Sequence, residues 1–373
     1  MKVNKWTTAL ASAGLISGGM AAQAEESPIM TALSSTTISG YVDTSLQWDL
    51  GTGNEFAPAY TFNDGRSDGF NLNAVNIQIG KELDEGQWAA GYKIDLMWGP
   101  NAVNFNPSYN SNPNNDFGIK QAYVELRAPL GNGLDFKVGT FDASVGYEVA
   151  HSVDNPNFSR NWAYCIQPFQ HTGVLMSYQF NDMISASAGV ANTATTGINS
   201  RAHYTGPNPG QYNAASGTKA ESQKTWMGSV AVTAPESMGW FSGSTLYGAI
   251  LYGFAGSTTS LSASVNTPAN QNTVNYYVGG PMTTPWEQLS LGAAYDYYGA
   301  SAQSSQGITS SAFYQNAVAV YASYQATEKM SIHGRGEYTT GDVLYTQADG
   351  SSEKILSLTG TVQYDLWANV VTR

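Results

Sequence analysis

Charge is scarce in this chain of 373 residues: Asp, Glu, Lys and Arg together make up 12%, about half the share of an ordinary globular protein. Cysteine occurs once, which excludes an internal disulfide. Beyond residue 24 there is no apolar run of about 18 residues or more, so no further helix can span a bilayer. Mean hydropathy is -0.26, too low for a helical membrane bundle. Basic residues are the rarer sign, 16 against 28 acidic, and the net charge of -12 argues against nucleic acid as a partner. The four histidines, His151, His171, His203 and His333, form no pair at i,i+2 or i,i+4, so no metal centre is expected. No Gly-rich phosphate loop is present, "GNG" at 131–133 reads as a hairpin turn, and no cofactor is implied. Cys165 lies between Tyr164 and Ile166 and reads as a packed residue, because thiolate catalysis needs a base beside the sulfur. An enzyme is therefore not expected.

What is abundant points elsewhere. Glycine (39) and aromatic residues (12%) are plentiful, and polar tracts are rich in Asn, Ser and Thr. A chain whose residues alternate between lipid and water has such a composition. The N-terminus reads as a secretory signal: Lys2 and Lys5 precede a small-residue apolar run from Trp6 to Ala22, and Ala22-Gln23-Ala24 fits an A-x-A cleavage site. Residues 1–24 are expected to be the signal peptide, 25–35 a short periplasmic segment and 36–373 the folded body. Export by a diderm bacterium follows.

Period-two alternation recurs along that body. From Ile38 the even positions read Ile38, Gly40, Val42, Thr44, Leu46, Trp48 and Leu50, and the odd ones Ser39, Tyr41, Asp43, Ser45, Gln47 and Asp49. Trp88, Ala90, Tyr92, Ile94, Leu96 and Trp98 oppose Lys93 and Asp95. Ala122, Val124 and Leu126 oppose Gln121, Tyr123, Glu125 and Arg127. Leu134, Phe136 and Val138 oppose Asp135 and Lys137, and Met330 and Ile332 oppose His333, Arg335 and Glu337. A soluble sandwich alternates too, but these runs reach the ten or so residues that a tilted strand needs to cross a bilayer. Aromatics also cluster near segment ends on the apolar face (Trp48, Trp88, Trp98, Tyr178, Tyr252, Tyr324, Tyr364), as interfacial girdles do.

Connections alternate between short and long. Short turns fall at Asp84–Gly86, Pro129–Gly133, Asn181–Asp182, Pro235–Gly243, Pro285–Gln288 and Thr327–Lys329. Long ones cover 51–69, 99–117, 143–170, 193–223, 255–271, 300–313 and 341–352. The rule that short and long must alternate requires a strand in "NTVNYYVGG" (272–280), and gives fourteen complete strands plus the start of a fifteenth. Bacterial barrels carry an even number, so the expectation is an all-β, transmembrane, antiparallel up-and-down β-barrel, with sixteen strands when complete and a C-terminus truncated at Arg373.

The pieces "SGYVDTSLQW", "GFNLNAVNIQIGKEL", "IKQAYVELRAPLGNGLDFKVGTF", "GYEVAHSVDNPNFSRN", "PFQHTGVLMSYQFND", "GAAYDYYG" and "YASYQATEKMSIHGRGEY" occur in an order that resembles the OmpL-like beta-barrel porins of bacterial outer membranes. "VQYDLWANVVTR" closes the match, and in that family the strand runs on. Residues 193–224 and 255–271 depart from the pattern, so ligand preference does not carry over. The resemblance implies passive diffusion of small hydrophilic solutes or ions through a water-filled lumen. The polar faces become its wall: Asp43, Lys93, Asp95, Tyr123, Glu125, Arg127, Asp135, Lys137, Asp296, His333, Arg335 and Glu337. In general porins the third long loop folds inward. By that likeness, Glu148, His151, Asp154 and Arg160 in loop 143–170 form a constriction, with His171 at its root pinning it. The bland alternative leaves the loop outside, over the mouth. Expected partners are outer-membrane lipids, solutes and, for a porin of this size, a homotrimer whose interface no residue reveals. The rival readings are an adhesin or structural barrel with a closed lumen, and an outer-membrane hydrolase, for which no converging triad is visible.

Overall fold

The computed structural model describes residues 35–48, 69–105 (except 85 and 87), 117–199 (except 195), 223–255, 271–346 (except 306 and 307) and 352–373. The expected signal peptide, nearly all of the segment 25–35, His203, most of the loops at 51–69, 99–117, 193–223 and 255–271, and residues 347–351 lie outside the described residues. No described helix is long and apolar enough to cross a membrane, a statement that leaves strands untouched.

Strands dominate. They are β1 (Thr37–Gln47), β2 (Gly69–Lys81), β3 (Ala90–Trp98), β4 (Phe117–Ala128), β5 (Leu134–Asp142) and β6 (Gln170–Gln179). Then follow β7 (Ile184–Ala191), β8 (Thr225–Thr233), β9 (Thr245–Ala255), β10 (Gln271–Thr283) and β11 (Leu289–Ala300). A small hairpin, β12 (Gln303–Ser305) and β13 (Ile308–Ser310), occupies the long connection expected at 300–313. The chain closes with β14 (Phe313–Gln325), β15 (Met330–Thr346), β16 (Ser352–Trp367) and β17 (Val370–Thr372). Every strand except β12 and β13 joins one sheet in chain order, each antiparallel to the next: fourteen long strands and a short fifteenth. The strand inferred from the alternation rule is β10, paired with β9 and β11. β15 runs further than expected, to Thr346.

The faces are inverted relative to a soluble protein. Exposed side chains include Ile38 (74%), Val42, Leu46, Val124, Leu126, Leu246, Ile250, Val318, Val320 and Ile332, while Asp43, Asp95, Asp296, Arg335 and Glu337 on the other phase are buried. Water would penalise such an apolar exterior, and lipid would not. Two aromatic belts border it. Trp88, Trp286, Tyr324, Tyr364 and Trp367 stand exposed at the short-turn edge, and Trp48, Trp226, Tyr252 and Tyr314 at the long-loop edge. Val318 sits mid-strand in this band, so Val318→Arg is expected to destabilise the protein in lipid vesicles by about 2–4 kcal/mol. A urea-unfolding midpoint in vesicles that does not fall would contradict a lipid-facing Val318.

β1 and β17 are not hydrogen-bonded to each other, yet the sheet curls. Ser152, in the connection between β5 and β6, donates its hydroxyl to Asp43 Oδ2 on β1 (2.5 Å), and its carbonyl accepts from Arg373 Nη1 beyond β17 (2.6 Å). The two ends of the sheet thus meet at one loop residue.

Candidate functional site: a loop held across the sheet

That loop spans residues 143–169. Its turns are built locally. Asn155 accepts the Val149 N–H at 2.9 Å and donates to the carbonyls of Val149 and His151, both at 2.7 Å. Arg160 is only 1% exposed, and its guanidinium donates to the carbonyls of Val149 (2.7 Å), Phe158 (2.7 Å) and Ala150 (2.6 Å). A planar fork with five donors suits three convergent carbonyls. Arg160 therefore differs from the expected water-facing eyelet charge: it staples the loop's own backbone. Gly146 has φ +109, in the left-handed region, and a Cβ there would collide with the Gln167 amide at 2.3 Å. Gly292 on β11 leaves room for the Tyr147 hydroxyl, which would lie 2.1 Å from a Cβ. Tyr147 also stacks on Tyr321 of β14, with centroids 4.2 Å apart.

The loop grips strands on every side. Toward the first strands, His151 Nε2 meets Asp95 Oδ2 at 2.8 Å and its Nδ1 meets the Tyr41 hydroxyl at 3.0 Å. Toward the last, Arg335 Nη1 donates to Glu148 Oε1 (2.9 Å) and to the Ser159 carbonyl (2.9 Å), while its Nε donates to Glu337 Oε1 (3.0 Å). Glu337 Oε2 accepts the Trp162 N–H at 2.7 Å, and Glu148 Oε2 the Asn161 N–H at 2.7 Å. Gln167 donates to Asp296 Oδ1 at 2.6 Å, Asn161 to the Tyr321 hydroxyl at 2.7 Å, and Asn275 to the Ile166 carbonyl at 3.1 Å. Thr361 of β16 donates to Asn157 at 2.9 Å. Asp43, Asp95, Asp296, Arg335 and Glu337 lie well inside their strands, so the loop is inside the curl and not laid over its edge.

Lys93, Tyr123, Glu125, Arg127, Asp135 and Lys137 occupy the same face nearer the short turns and are half-buried. They pair directly across strands: Arg127 grips Asp135 with two bonds of 2.7 and 2.8 Å, Lys137 stands 3.8 Å from Glu125, and its ammonium lies over the Tyr123 ring at 4.9 Å. His333 sits between the hydroxyls of Ser331 (2.9 Å) and Ser323 (2.8 Å). Asp154 is half-buried in the loop. His171 departs from the expected pin, because its Nδ1 faces the Thr193 carbonyl at 3.2 Å, beyond β7.

Sequence reasoning missed several members of this network, among them Asn161, Gln167 and Asn275 and two residues that bulges turn inward. Register shifts interrupt β2 opposite Asp43 and β4 opposite Asp95. A bulge turns an additional side chain to the inner face. Asn73 is thereby buried and donates to Asp43 Oδ1 at 3.1 Å. Lys120 is buried between Asp142, which it bonds, and Asp95 at 3.7 Å. Also missed was the apolar half of the inner wall, where Leu175, Met227, Tyr247, Leu251, Tyr277 and Tyr321 pack against Phe141, Ala143 and Val145. Around the loop, the carboxylates of Asp43, Asp95, Asp142, Glu148, Asp154, Asp296 and Glu337 outnumber the cations Lys120, Arg160, Arg335 and Arg373.

Cys165 is partly buried against Trp162, Ala163, Ile166, Tyr298 and Ala317. Burial pushes its thiol up to about 12, and the Glu337 and Glu148 carboxylates push the same way, so it stays protonated and inert at neutral pH. Among the described residues, no group of three or more His, Cys, Asp or Glu is placed to hold a metal ion.

Several solved structures are similar to this chain. A loop-deletion variant of OmpT, an outer membrane protein of Vibrio cholerae, shares 11% identity over 90% of each chain, with a TM-score of 0.48. The outer membrane channel DcaP of Acinetobacter baumannii shares 11% over 88% of this chain and 96% of its own, also at 0.48. An anion-selective porin from Comamonas acidovorans shares 10% over 88% and 96%, at 0.37. No curated protein matches the chain. A family model does, along residues 35–373, the whole sheet and its inward loop: the chain belongs to the family described as putative beta-barrel porin-2, OmpL-like.

Proposed function

We propose that this protein, exported by residues 1–24, is an outer-membrane porin that passes small hydrophilic solutes and ions by passive diffusion, with loop 143–169 as its eyelet. The single observation that carries the reading is the loop bound at once to β1, β3, β11, β15 and β16 from inside the curl. A segment so placed must narrow whatever water path the inner face encloses. The paired charges at Lys93, Glu125, Arg127, Asp135 and Lys137 line the path on the short-turn side. Excess carboxylate around the loop attracts cations, so the channel prefers them. No cofactor or energy source takes part.

Planar-bilayer reversal potentials under a potassium chloride gradient test this. Asp154→Asn combined with Glu148→Gln is expected to lower the cation-to-anion permeability ratio by about twofold or more. A ratio unchanged from the parent protein would remove the loop carboxylates from the permeation path.

A further inference from the structure

A cavity lies where the loop leaves β5 and returns to β6, against the apolar wall of β9 and β10. Rings of Tyr164, Phe169, Tyr247 and Tyr277 form much of its lining, with Asp142, Ser144 and Glu148 as its polar side. Lys120 also borders it, but that ammonium is shared by Asp95 and Asp142. Glu148 in turn shares Arg335 with Glu337. Lys120 and Arg335 therefore each serve two carboxylates, and Arg160 lies over the Tyr164 ring at 6.0 Å, so the four carboxylates Asp95, Asp142, Glu148 and Glu337 still outnumber the three cations. Oxygens of lining residues without a hydrogen-bond partner include Asp142 Oδ1, Ser144 Oγ and Tyr277 OH. Asp296, directly across from Tyr277 in the β10–β11 register, leaves its Oδ2 unpaired as well. Buried polar atoms are normally satisfied, so the open carboxylate oxygens, which only accept, mark missing donors, and the two hydroxyls can accept beside them or donate.

We propose that this cavity is a binding subsite for a small primary ammonium compound, an inference that rests on the porin reading for its access route. An R–NH₃⁺ group carries three donors and no acceptor, which suits a lining that holds an open carboxylate oxygen and two open hydroxyls. Its charge is attracted to aromatic faces and to the carboxylate excess. An anion would meet Asp142 and Glu148, and a neutral sugar would leave the excess charge uncompensated.

Calorimetric titration of the detergent-purified protein with ethylammonium chloride at low salt is the test. The expected result is saturable binding, weakened about tenfold in Asp142→Asn and in Tyr277→Phe, which removes only one hydroxyl. Tetramethylammonium, which has no N–H donor, is expected to bind about tenfold more weakly than ethylammonium. No binding, equal binding in both variants, or equal affinity for the two cations would each overturn the subsite. Calorimetry needs no conduction, so binding without channel activity would sink the porin reading and leave the subsite standing.

Discussion

Replacing residues 147–166 with a short Gly-Ser turn is expected to raise single-channel conductance by at least about twofold, because the loop is bonded to strands near both ends of the sheet and so crosses the space between them. The magnitude follows from the placement of the bonds. Glu148, Asn161, Trp162 and Gln167 reach wall residues on β11, β14 and β15, while His151 and Ser152 reach β3 and β1. The replacement removes every one of these bridges except that of Gln167, which lies just beyond it, and leaves the strands' hydrogen bonds to one another in place. Conductance indistinguishable from that of the parent protein would show that ions take a route the loop does not narrow.

Arg335→Ala carries the second large effect. The Arg335 side chain is only 2% exposed, and its guanidinium holds Glu148 and Glu337 together with the Ser159 and Arg160 carbonyls. Removing it strands two buried carboxylates without their cation, a change that costs about 3–5 kcal/mol in comparable buried pairs. Arg335→Lys is expected to recover only part of this, since an ammonium cannot reproduce the fork geometry. Adding Glu148→Gln and Glu337→Gln to Arg335→Ala removes the stranded charges and is expected to recover most of it. Urea unfolding in vesicles, followed by tryptophan fluorescence, reads the series. A single variant as stable as the parent would mean that the network is solvated and not buried. A triple variant no better than the single would mean that lost packing, and not charge, sets the cost.

The strands were legible because one periodicity separates lipid from interior. Ile38, Val42 and Leu46 against Tyr41, Asp43 and Gln47 on β1 needed nothing but parity. The alternation of short and long connections then located β10, whose inner and outer faces alternate from Gln271 to Gly279. The inner wall was legible only where it carries charge. On β9, Tyr247 and Leu251 face inward and Leu246, Ile250 and Tyr252 outward, so both phases are apolar and parity cannot rank them. The scarcity of charge from β6 to β10 was the available signal that the loop packs there against a greasy wall. Lys120 and Asn73 escaped because a bulge breaks parity without marking the sequence. Arg160 and His171 show the remaining limit. A residue type gives a side chain's chemistry, but whether its donors meet solvent, its own loop or a neighbouring carbonyl depends on a turn that the sequence does not specify.

The central claim, a conducting lumen narrowed by loop 143–169, is tested most directly by single-channel recording of the purified protein in a planar bilayer of potassium chloride solution. Discrete, ohmic current steps with a reversal potential displaced toward that of potassium are predicted. Stable insertion of folded protein that passes no current would contradict it, and would leave the inward loop as the seal of a closed barrel.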